Sequence, residues 1–261
     1  MSISSQARRT RNKGVKAARS RGKAAVVALI VTAVVRAYMA SVAAWQVSLL
    51  GDVQRGVVQN GTLALSDTLF TAGAVMQLVM LLITGVLFLR WLAQMVNTAR
   101  DLQVSPPLAW TASQAVWGFF IPFVNLARPY QVLRDLHDVL APDGVPEPAP
   151  RPRLDGASGY RKIEMEVPPP PAKLPHASIG AWWAFYVIGG LVEWGASSMD
   201  EKGIAALVSS RTSSIISDAF DIVSAGLAIM VVVAISARLV ERQRRLRHAS
   251  DQELTSWGID T

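Results

Sequence analysis

The stretch WTASQAVWGFFIPFVNLARPY, residues 110–130, decides how this chain is built. It is apolar and aromatic enough to lie in a membrane. Its last nine residues, however, contain two prolines, an asparagine and an arginine, which a simple membrane span would avoid. How this stretch sits therefore fixes the number of membrane crossings and the side on which the charged loops lie.

The composition around this stretch is that of an integral membrane protein. Of 261 residues, 51% are hydrophobic and 17% are charged, whereas soluble domains carry roughly 25% charged residues. The apolar residues also occur in long runs, which indicates membrane-spanning helices. The predicted fold class is an all-α integral membrane protein.

The net charge of +7 is concentrated in residues 1–23, which hold eight basic residues and no acid, so that the remainder sums to −1. We expect this tail to be disordered. It has no aromatic residue on which a base could stack, so nucleic acid is an unlikely partner. Because it directly precedes an apolar run, anionic lipid at the basic N-terminal tail is the favoured partner, with the charge setting the topology.

The first apolar segment, residues 24–44, is interrupted by Arg36. A basic region followed by an apolar core is also typical of a signal peptide, and Ser41-Val42-Ala43 resembles a cleavage site. The basic region is long, however, and Arg36 would lie between the apolar core and the cut. A retained transmembrane helix is therefore favoured over a cleaved signal.

Three further apolar segments are long enough to cross a membrane: residues 69–92, 179–199 and 215–237. Short polar linkers are predicted at 51–67, where Asn60-Gly61 signals a turn, and at 200–214. In the third segment, small residues are expected to permit close helix packing: Gly189, Gly190 and Gly195.

The opening stretch itself predicts two short helices. Ser105 suits the N-cap and Pro106 the first position of a helix that runs to about residue 121, where Pro122 should break it. About sixteen residues give about 24 Å, which is short of the roughly 30 Å hydrocarbon core. A second helix, from Pro129 to Leu140, is amphipathic and suits a membrane surface or a partner.

The loop charges decide between five spans and four. If the stretch crosses the membrane, the loop after it and the arginine-rich C-terminus lie outside, against the positive-inside rule. If it re-enters or lies in the interface, all heavily basic segments are cytoplasmic. The sequence therefore predicts four transmembrane helices plus a short re-entrant or interfacial helix and an amphipathic cytoplasmic helix. Both termini would be cytoplasmic.

The proline-rich region after the amphipathic helix is expected to be an extended connector, although its run of four prolines, 168–171, could bind a proline-reading domain. The predicted segments are a basic disordered cytoplasmic tail (1–23), two transmembrane helices with the embedded and amphipathic helices (24–140), a proline-rich cytoplasmic linker (141–177), the last two transmembrane helices (178–240) and a basic cytoplasmic tail (241–261).

Charged residues inside the apolar segments are costly and usually face the bundle interior in pairs. Arg36, Glu193, Asp218 and Asp221 are such residues. In the four-span arrangement, depths from the cytoplasmic end of about 18, 21 and 24 Å for Arg36, Glu193 and Asp221 are compatible with contact. A structural lock between helices is favoured over a proton or ion relay, because the group offers no complete path across the membrane.

The sequence predicts no catalytic residue, no cofactor and no metal site. It has no cysteine, and none of the common nucleotide-binding, zinc-protease or serine-hydrolase motifs. Its histidines, His137, His176 and His248, lack ligand spacing.

With these residues in place, the chain resembles the bacterial family called domain of unknown function 4328. The resemblance covers about residues 65–240. Its hallmark is an aromatic-Ile/Val-Pro-x-x-Asn-Leu-x-x-Pro-x-Gln core, followed downstream by Trp182-Trp183. The resemblance implies a multi-span membrane protein, frequent in actinobacteria, with no assigned activity. The candidate residues in the core and the tryptophan-rich segment before it are Trp110, Trp117, Phe120, Ile121, Pro122, Asn125, Leu126, Arg128, Pro129, Tyr130 and Gln131.

The favoured function is a non-enzymatic inner-membrane scaffold or accessory subunit that binds a partner or anionic lipid at its cytoplasmic face. The alternative is a small transporter or channel component that uses the helix break at Pro122 and the intramembrane charges. An intramembrane enzyme has the weakest support. A protein partner at the cytoplasmic face and a homo-oligomer are both open at this stage.

Overall fold

The computed structural model describes residues 3–57, 60–102, 107–141, 174–197 and 203–256. Within these ranges every regular element is helical. The elements are α1 (Ile3–Gln54), α2 (Asn60–Asp101), α3 (Ala112–Trp117), a 3₁₀ turn (Val124–Leu126), α4 (Arg128–Val139), α5 (His176–Ser197) and α6 (Ile204–Ser256).

Three of these helices, α1, α2 and α6, are long and apolar enough to cross a membrane. The fourth long helix, α5, has 22 residues and a length of about 33 Å, and is not among these three. Large apolar side chains on the long helices lie exposed, for example Leu78 at 58% and Leu82 at 62%. Such a surface fits contact with lipid chains.

The four long helices run antiparallel to their neighbours, with α1 between α2 and α6, and α5 against α6. The Arg21 guanidinium of α1 donates to Gln94 Oε1 near the end of α2, at 2.8 Å. Gln243 Nε2 near the end of α6 donates to Asn12 Oδ1 of α1, at 2.9 Å. The beginning of α1 and the ends of α2 and α6 therefore meet at one end of the bundle. α3, α4 and the turn between them also lie at this end, which is called the hinge end below.

The prediction of disorder in residues 1–23 is wrong for the described part, because α1 starts at Ile3 and continues without a break. Val15 and Ala18 are buried in this part of α1. Alanine, lysine and arginine favour helix, and the neighbouring ends of α2 and α6 bury one face. Tertiary packing and helix propensity together outweigh the high charge.

The polar linkers are also shorter than predicted. α1 continues to Gln54 and α2 begins at Asn60, so Asn60-Gly61 opens a helix and is not a turn. Gln46 Nε2 donates to Asp67 Oδ1 at 3.2 Å, which ties the two helices together within the predicted linker. The second predicted linker, residues 200–214, is also shorter than predicted, because α6 begins at Ile204. The proline-rich linker prediction falls, for residues 142–173, outside the described residues.

The opening stretch does not form a spanning helix. α3 has six residues, a length of about 9 Å. It begins after Thr111, whose side chain accepts from the Gln114 N–H in a capping box, and not at the predicted Ser105-Pro106. Pro107 to Trp110 are not helical, and the helix ends at Trp117, before the predicted residue 121.

A tight turn at Pro122 follows. Phe123 has a φ of 64° and a ψ of −43°, and the Val124 N–H donates to the Pro122 carbonyl at 2.7 Å. Together these define a γ-turn of the strained, positive-φ kind. After the 3₁₀ turn the chain enters α4, with Pro129 in its first turn. Residues 118–127 are called the hinge below.

The apolar face of α4 is buried inside the chain, and is therefore not free for the membrane surface or partner that its amphipathic pattern suggested. Leu133, Leu136 and Leu140 are each 0% exposed. Arg242 of α6 donates to the carbonyls of Val139 and Ala141, at 2.8 and 2.9 Å, and so caps the C-terminal end of α4. The main core lies at this hinge end, where the largest fully buried side chains include Trp91, Leu92, Met95, Ile179, Ile235 and Leu239.

Candidate functional site

Arg36 of α1 contacts three acids at the middle of the bundle. Its Nη1 lies 3.1 Å from Glu193 Oε2 of α5 and 3.1 Å from Asp218 Oδ1 of α6. Its Nη2 lies 2.9 Å from Asp221 Oδ2, also of α6. Asp218 and Asp221 are three residues apart and so lie on the same face of their helix. The depths estimated from the sequence for Arg36, Glu193 and Asp221 are compatible with this contact.

Neighbouring polar groups support these ion pairs. Gln77 Nε2 of α2 donates to Asp218 Oδ1 at 3.0 Å, and the Ser217 hydroxyl lies 2.9 Å from Glu193 Oε2 and 3.0 Å from the Gly189 carbonyl. Arg36, Gln77, Glu193, Asp218 and Asp221 are called the charge cluster below. Since the cluster takes residues from all four long helices, it holds the bundle together.

The members differ in exposure. The side chain of Asp218 is 5% exposed and that of Arg36 14%, whereas that of Glu193 is 50% exposed. The exposure of the acids therefore increases from the buried Asp218 to the half-exposed Glu193. The sequence did not predict the role of Gln77, although it is the strongly polar residue of the second apolar segment.

A cavity of about 380 Å³ lies between the charge cluster and the hinge. It is called the hinge cavity below. α1, α2, α5 and α6 form its walls, and the hinge closes one side with Phe119, Phe120 and Asn125. The hallmark segment of the sequence therefore faces the same space as Arg36 and Asp221, which line the cavity at its other end.

Five aromatic side chains form a connected wall of this cavity. Phe88 lies 5.8 Å from Trp182 and 6.0 Å from Phe119, measured between ring centroids. Trp183 lies 5.9 Å from Phe119 and stacks on Tyr186 at 5.1 Å. These separations are within the range of favourable aromatic contacts. The sequence indicated Trp182 and Trp183 only through the family resemblance, and not that they line a cavity.

The polar groups of the cavity are few and mostly paired. The hydroxyls of Thr32 and Thr84 lie 2.8 Å apart, and the Ser224 hydroxyl donates to the Trp182 carbonyl at 3.4 Å. Asn125 Oδ1 differs from these, because it is buried and accepts no hydrogen bond from the described residues. The Asn125 side chain therefore brings an unused acceptor to the hinge side of the cavity.

The other candidates around the hinge hold its shape. The guanidinium of Arg128 lies 4.0 Å above the Trp110 ring, within cation–π range. The indole N–H of Trp110 donates to Asp135 Oδ2 at 3.0 Å. A side chain at Gly118 would place its Cβ 2.5 Å from Arg128 Cγ, so glycine leaves room for the arginine.

The remaining hinge candidates lie outside the cavity lining. Pro129 is buried in the first turn of α4, and the backbone N–H of Gln131 donates to the Ala127 carbonyl at 3.1 Å. Pro122 contributes the carbonyl of the γ-turn. Trp117 is 59% exposed, packs edge to face on Phe120, and suits an interfacial anchor.

Two of the histidines that the sequence left apart come together. His176 Nε2, at the start of α5, lies 2.7 Å from Asp138 Oδ1, and His137 Nδ1 lies 3.3 Å from the same oxygen. With their ligand atoms this close, His137, Asp138 and His176 could in geometry hold a metal ion. The Arg238 guanidinium, 3.4 Å from His137 Nδ1, opposes a second cation there.

The same surroundings control protonation. Burial, followed by the charge of Arg238, lowers the pKa of His137 below its ordinary 6.5. Burial would raise the pKa of Asp138, but the hydrogen bonds from His176 and His137 outweigh it and lower that pKa below 3.8. His137 is therefore neutral and Asp138 ionised. The contact of Asp138 with His176 joins α4 to the start of α5.

An open groove of about 690 Å³ lies between α1 and α6 at the hinge end. It is called the basic groove below. Arg19 and Lys23 stand on its rim, and its floor is mostly valine, including Val26, Val232 and Val233. Glu241 also lines the groove and is paired with Arg244 and Arg245. The groove combines cationic groups with an apolar slot.

The model of the family described as domain of unknown function 4328 matches residues 54–237. The matched segment contains the hinge and the three acids of the charge cluster, whereas Arg36 and the rest of α1 precede it. No curated protein and no solved structure matches the chain.

Proposed function

The chain belongs to the domain of unknown function 4328 family, and from that premise we propose a non-enzymatic protein of the bacterial cytoplasmic membrane. It crosses the bilayer four times, with both termini cytoplasmic, and serves as a scaffold or accessory subunit that binds anionic lipid at its cytoplasmic face. The absence of any catalytic motif from the sequence supports the non-enzymatic assignment.

The basic groove carries the lipid-binding proposal. Arg19 and Lys23 are four residues apart on one face of α1, which suits a phosphate held between two cations. An acyl chain would then lie along the valine floor. Each basic residue near an anionic surface contributes about 1 kcal/mol of attraction, and the slot adds apolar burial.

The decisive experiment compares two charge-matched variants of the full chain. The double variant Arg19→Gln/Lys23→Gln removes the groove cations, whereas Lys13→Gln/Lys16→Gln removes two charges from the same helix away from the groove. Each is extracted from membranes containing phosphatidylglycerol, and retained lipid is measured by native mass spectrometry. We expect the first pair to lose retained lipid and the second to keep it. Equal loss in both would mean diffuse attraction and would reject a groove site.

A small transporter or channel component is the second candidate, and the contact of the hinge cavity with Arg36 and Asp221 favours it. Replacement of Arg36 with leucine separates the two functions. If the charge cluster is a structural lock between helices, Arg36 is needed for folding, and Arg36→Leu lowers the yield of folded protein. A well-folded Arg36→Leu protein that loses flux in proteoliposomes would favour transport instead.

A further inference from the structure

We propose that the hinge cavity binds a lipophilic organic cation: an amine or quaternary ammonium head carried on an apolar body. This proposal is independent of the lipid-binding proposal, because it concerns a different cavity and the opposite ligand charge. It rests on the size and wall chemistry of the cavity, on the charge at its far end and on its opening towards the lipid-facing surface.

The size and the walls fit a small amphipathic molecule. A volume of about 380 Å³ lies within the roughly 300–1,000 Å³ of small-molecule pockets. The connected aromatic wall includes Trp182, Trp183 and Tyr186 of one helix, α5, all of which line the cavity. Indole and phenol faces attract cations and also pack well against alkyl chains.

The charge balance selects a cation over an anion. Three carboxylates contact the one guanidinium of Arg36, which leaves two negative charges in excess when all four groups are ionised. Asp221 lines the cavity and shares Arg36 with Glu193 and Asp218. Because the guanidinium is divided among three partners, Asp221 keeps negative potential for a ligand cation, and an anion entering beside Arg36 would meet net repulsion.

The cavity can be reached from the membrane. Several of its lining side chains also lie on the exposed surface, among them Leu82 at 62%, Val86 at 56% and Phe120 at 60%. A ligand that has already partitioned into the bilayer can therefore enter sideways. Asn125 Oδ1, which accepts no hydrogen bond from the described residues, offers an acceptor to a primary amine.

The test uses the full chain in phosphatidylcholine nanodiscs, with isothermal titration and empty nanodiscs as the blank. Three probes share one alkyl chain: octyltrimethylammonium, octanol and octanoate. We expect the cation to bind at least about tenfold more tightly than the alcohol, about 1.4 kcal/mol, and the carboxylate not to bind. Equal affinities, or a preference for octanoate, would overturn the assignment of charge.

Two variants locate the site. Gly85 lines the cavity, and a Cβ there meets nothing within 4 Å, so Gly85→Leu should fill the space without a clash and abolish binding of all probes. Gly226 of α6 is equally open but does not line the cavity, and Gly226→Leu should bind normally. Binding that survives Gly85→Leu would overturn the location.

Asp221→Asn should reduce the affinity for the cation to that for octanol, and if this variant does not fold, the probe series still decides the charge preference.

Discussion

Gly189 of α5 packs closely against Phe220 and Asp221 of α6. A Cβ added there would lie 2.9 Å from Asp221 Oδ1 and 3.3 Å from Phe220 Cβ. We expect Gly189→Ala to push α5 from α6 and to destabilise the protein by roughly 1–3 kcal/mol, the usual cost of overpacking. Thermal unfolding in detergent measures the change.

The adjacent glycine supplies the control. A Cβ on Gly190 meets nothing within 4 Å, so Gly190→Ala should keep or slightly raise the melting temperature through better helix propensity. Equal destabilisation by both substitutions would contradict the packing argument. The sequence named Gly189, Gly190 and Gly195 together, and could not distinguish them, because which glycine faces a neighbouring helix depends on the rotation of α5.

The lowered pKa of His137 predicts weaker stability in mild acid. Because the folded state holds this pKa below 6.5, the unfolded state binds more protons once the pH falls below about 6.5. The contribution of neutral His137 is therefore complete above that pH and is lost as the pH falls towards the folded pKa. Asp138, with a pKa below 3.8, loses its contribution only at much lower pH.

The corresponding measurement is the melting temperature at about pH 7.5 and about pH 5.5. The native chain should melt at a lower temperature at the acidic pH, and His137→Gln should reduce the difference. His248→Gln, which changes a histidine of α6 and not of α4, should leave the difference in melting temperature unchanged. A pH dependence that persists in the His137 variant would show that other groups carry it.

Residue-level prediction of the site succeeded where depth alone was decisive. Arg36, Glu193 and Asp221 have comparable distances from the cytoplasmic ends of their segments, so helix rise indicated that they could be in contact. The aromatic wall and the acceptor of Asn125 did not follow, because side chains from α2, α5 and the hinge meet there only through tertiary packing. The nearness of His137 and His176 was missed because the two are separated by the proline-rich segment.

At the scale of elements, the γ-turn at Phe123 is the strained point of the hinge. A non-glycine residue at positive φ costs of the order of 1–3 kcal/mol, and the side chain of Phe123 is 87% exposed, so it packs little within the chain. We expect Phe123→Gly to relieve the strain and to raise the melting temperature in detergent.

Phe120 provides the comparison for the hinge. It is also exposed, at 60%, but is not among the described residues with positive φ. Phe120→Gly should therefore lower the melting temperature through added backbone freedom, by about 1 kcal/mol. If both glycine substitutions destabilise to the same extent, the strain at Phe123 is not a significant term.

The boundaries of the elements were predicted unevenly, and for physical reasons. The break at Pro122 and the start of α4 near Pro129 followed from proline geometry. The start of α3 did not, because Ser105-Pro106 and Thr111 both offer capping chemistry and only packing chooses between them. Polar linkers were overestimated at both ends of the helices, since side-chain pairs such as Gln46 with Asp67 extend helices beyond the apolar runs.

At the scale of the whole molecule, the arrangement of the four long helices places the beginning of α1 and the end of α6 at the hinge end of the bundle. The sequence predicted this side for both termini from loop charge, and predicted that the opening stretch would not cross. α3 is too short to cross, and the indole of Trp183 on α5 donates to the hinge at Leu126. Loop charge is read along the chain and needs no tertiary information, so it supplies a topology prediction, whereas the cavity depends on tertiary packing and could not be predicted.

The chain contains no cysteine, so single cysteines can report the topology without background. Four spans place Val57 and Lys202 outside the cell, and Ser158 and Ser256 in the cytoplasm. We expect a membrane-impermeant maleimide to label Val57→Cys and Lys202→Cys in intact cells. Ser158→Cys and Ser256→Cys should be labelled only after permeabilisation. A fifth span at residues 106–124 would move the last two reporters outside and Lys202 inside, because every segment after it would change sides. Labelling of Ser158→Cys in intact cells would therefore reject four spans, and the basic segments would then have to be held outside against the charge rule.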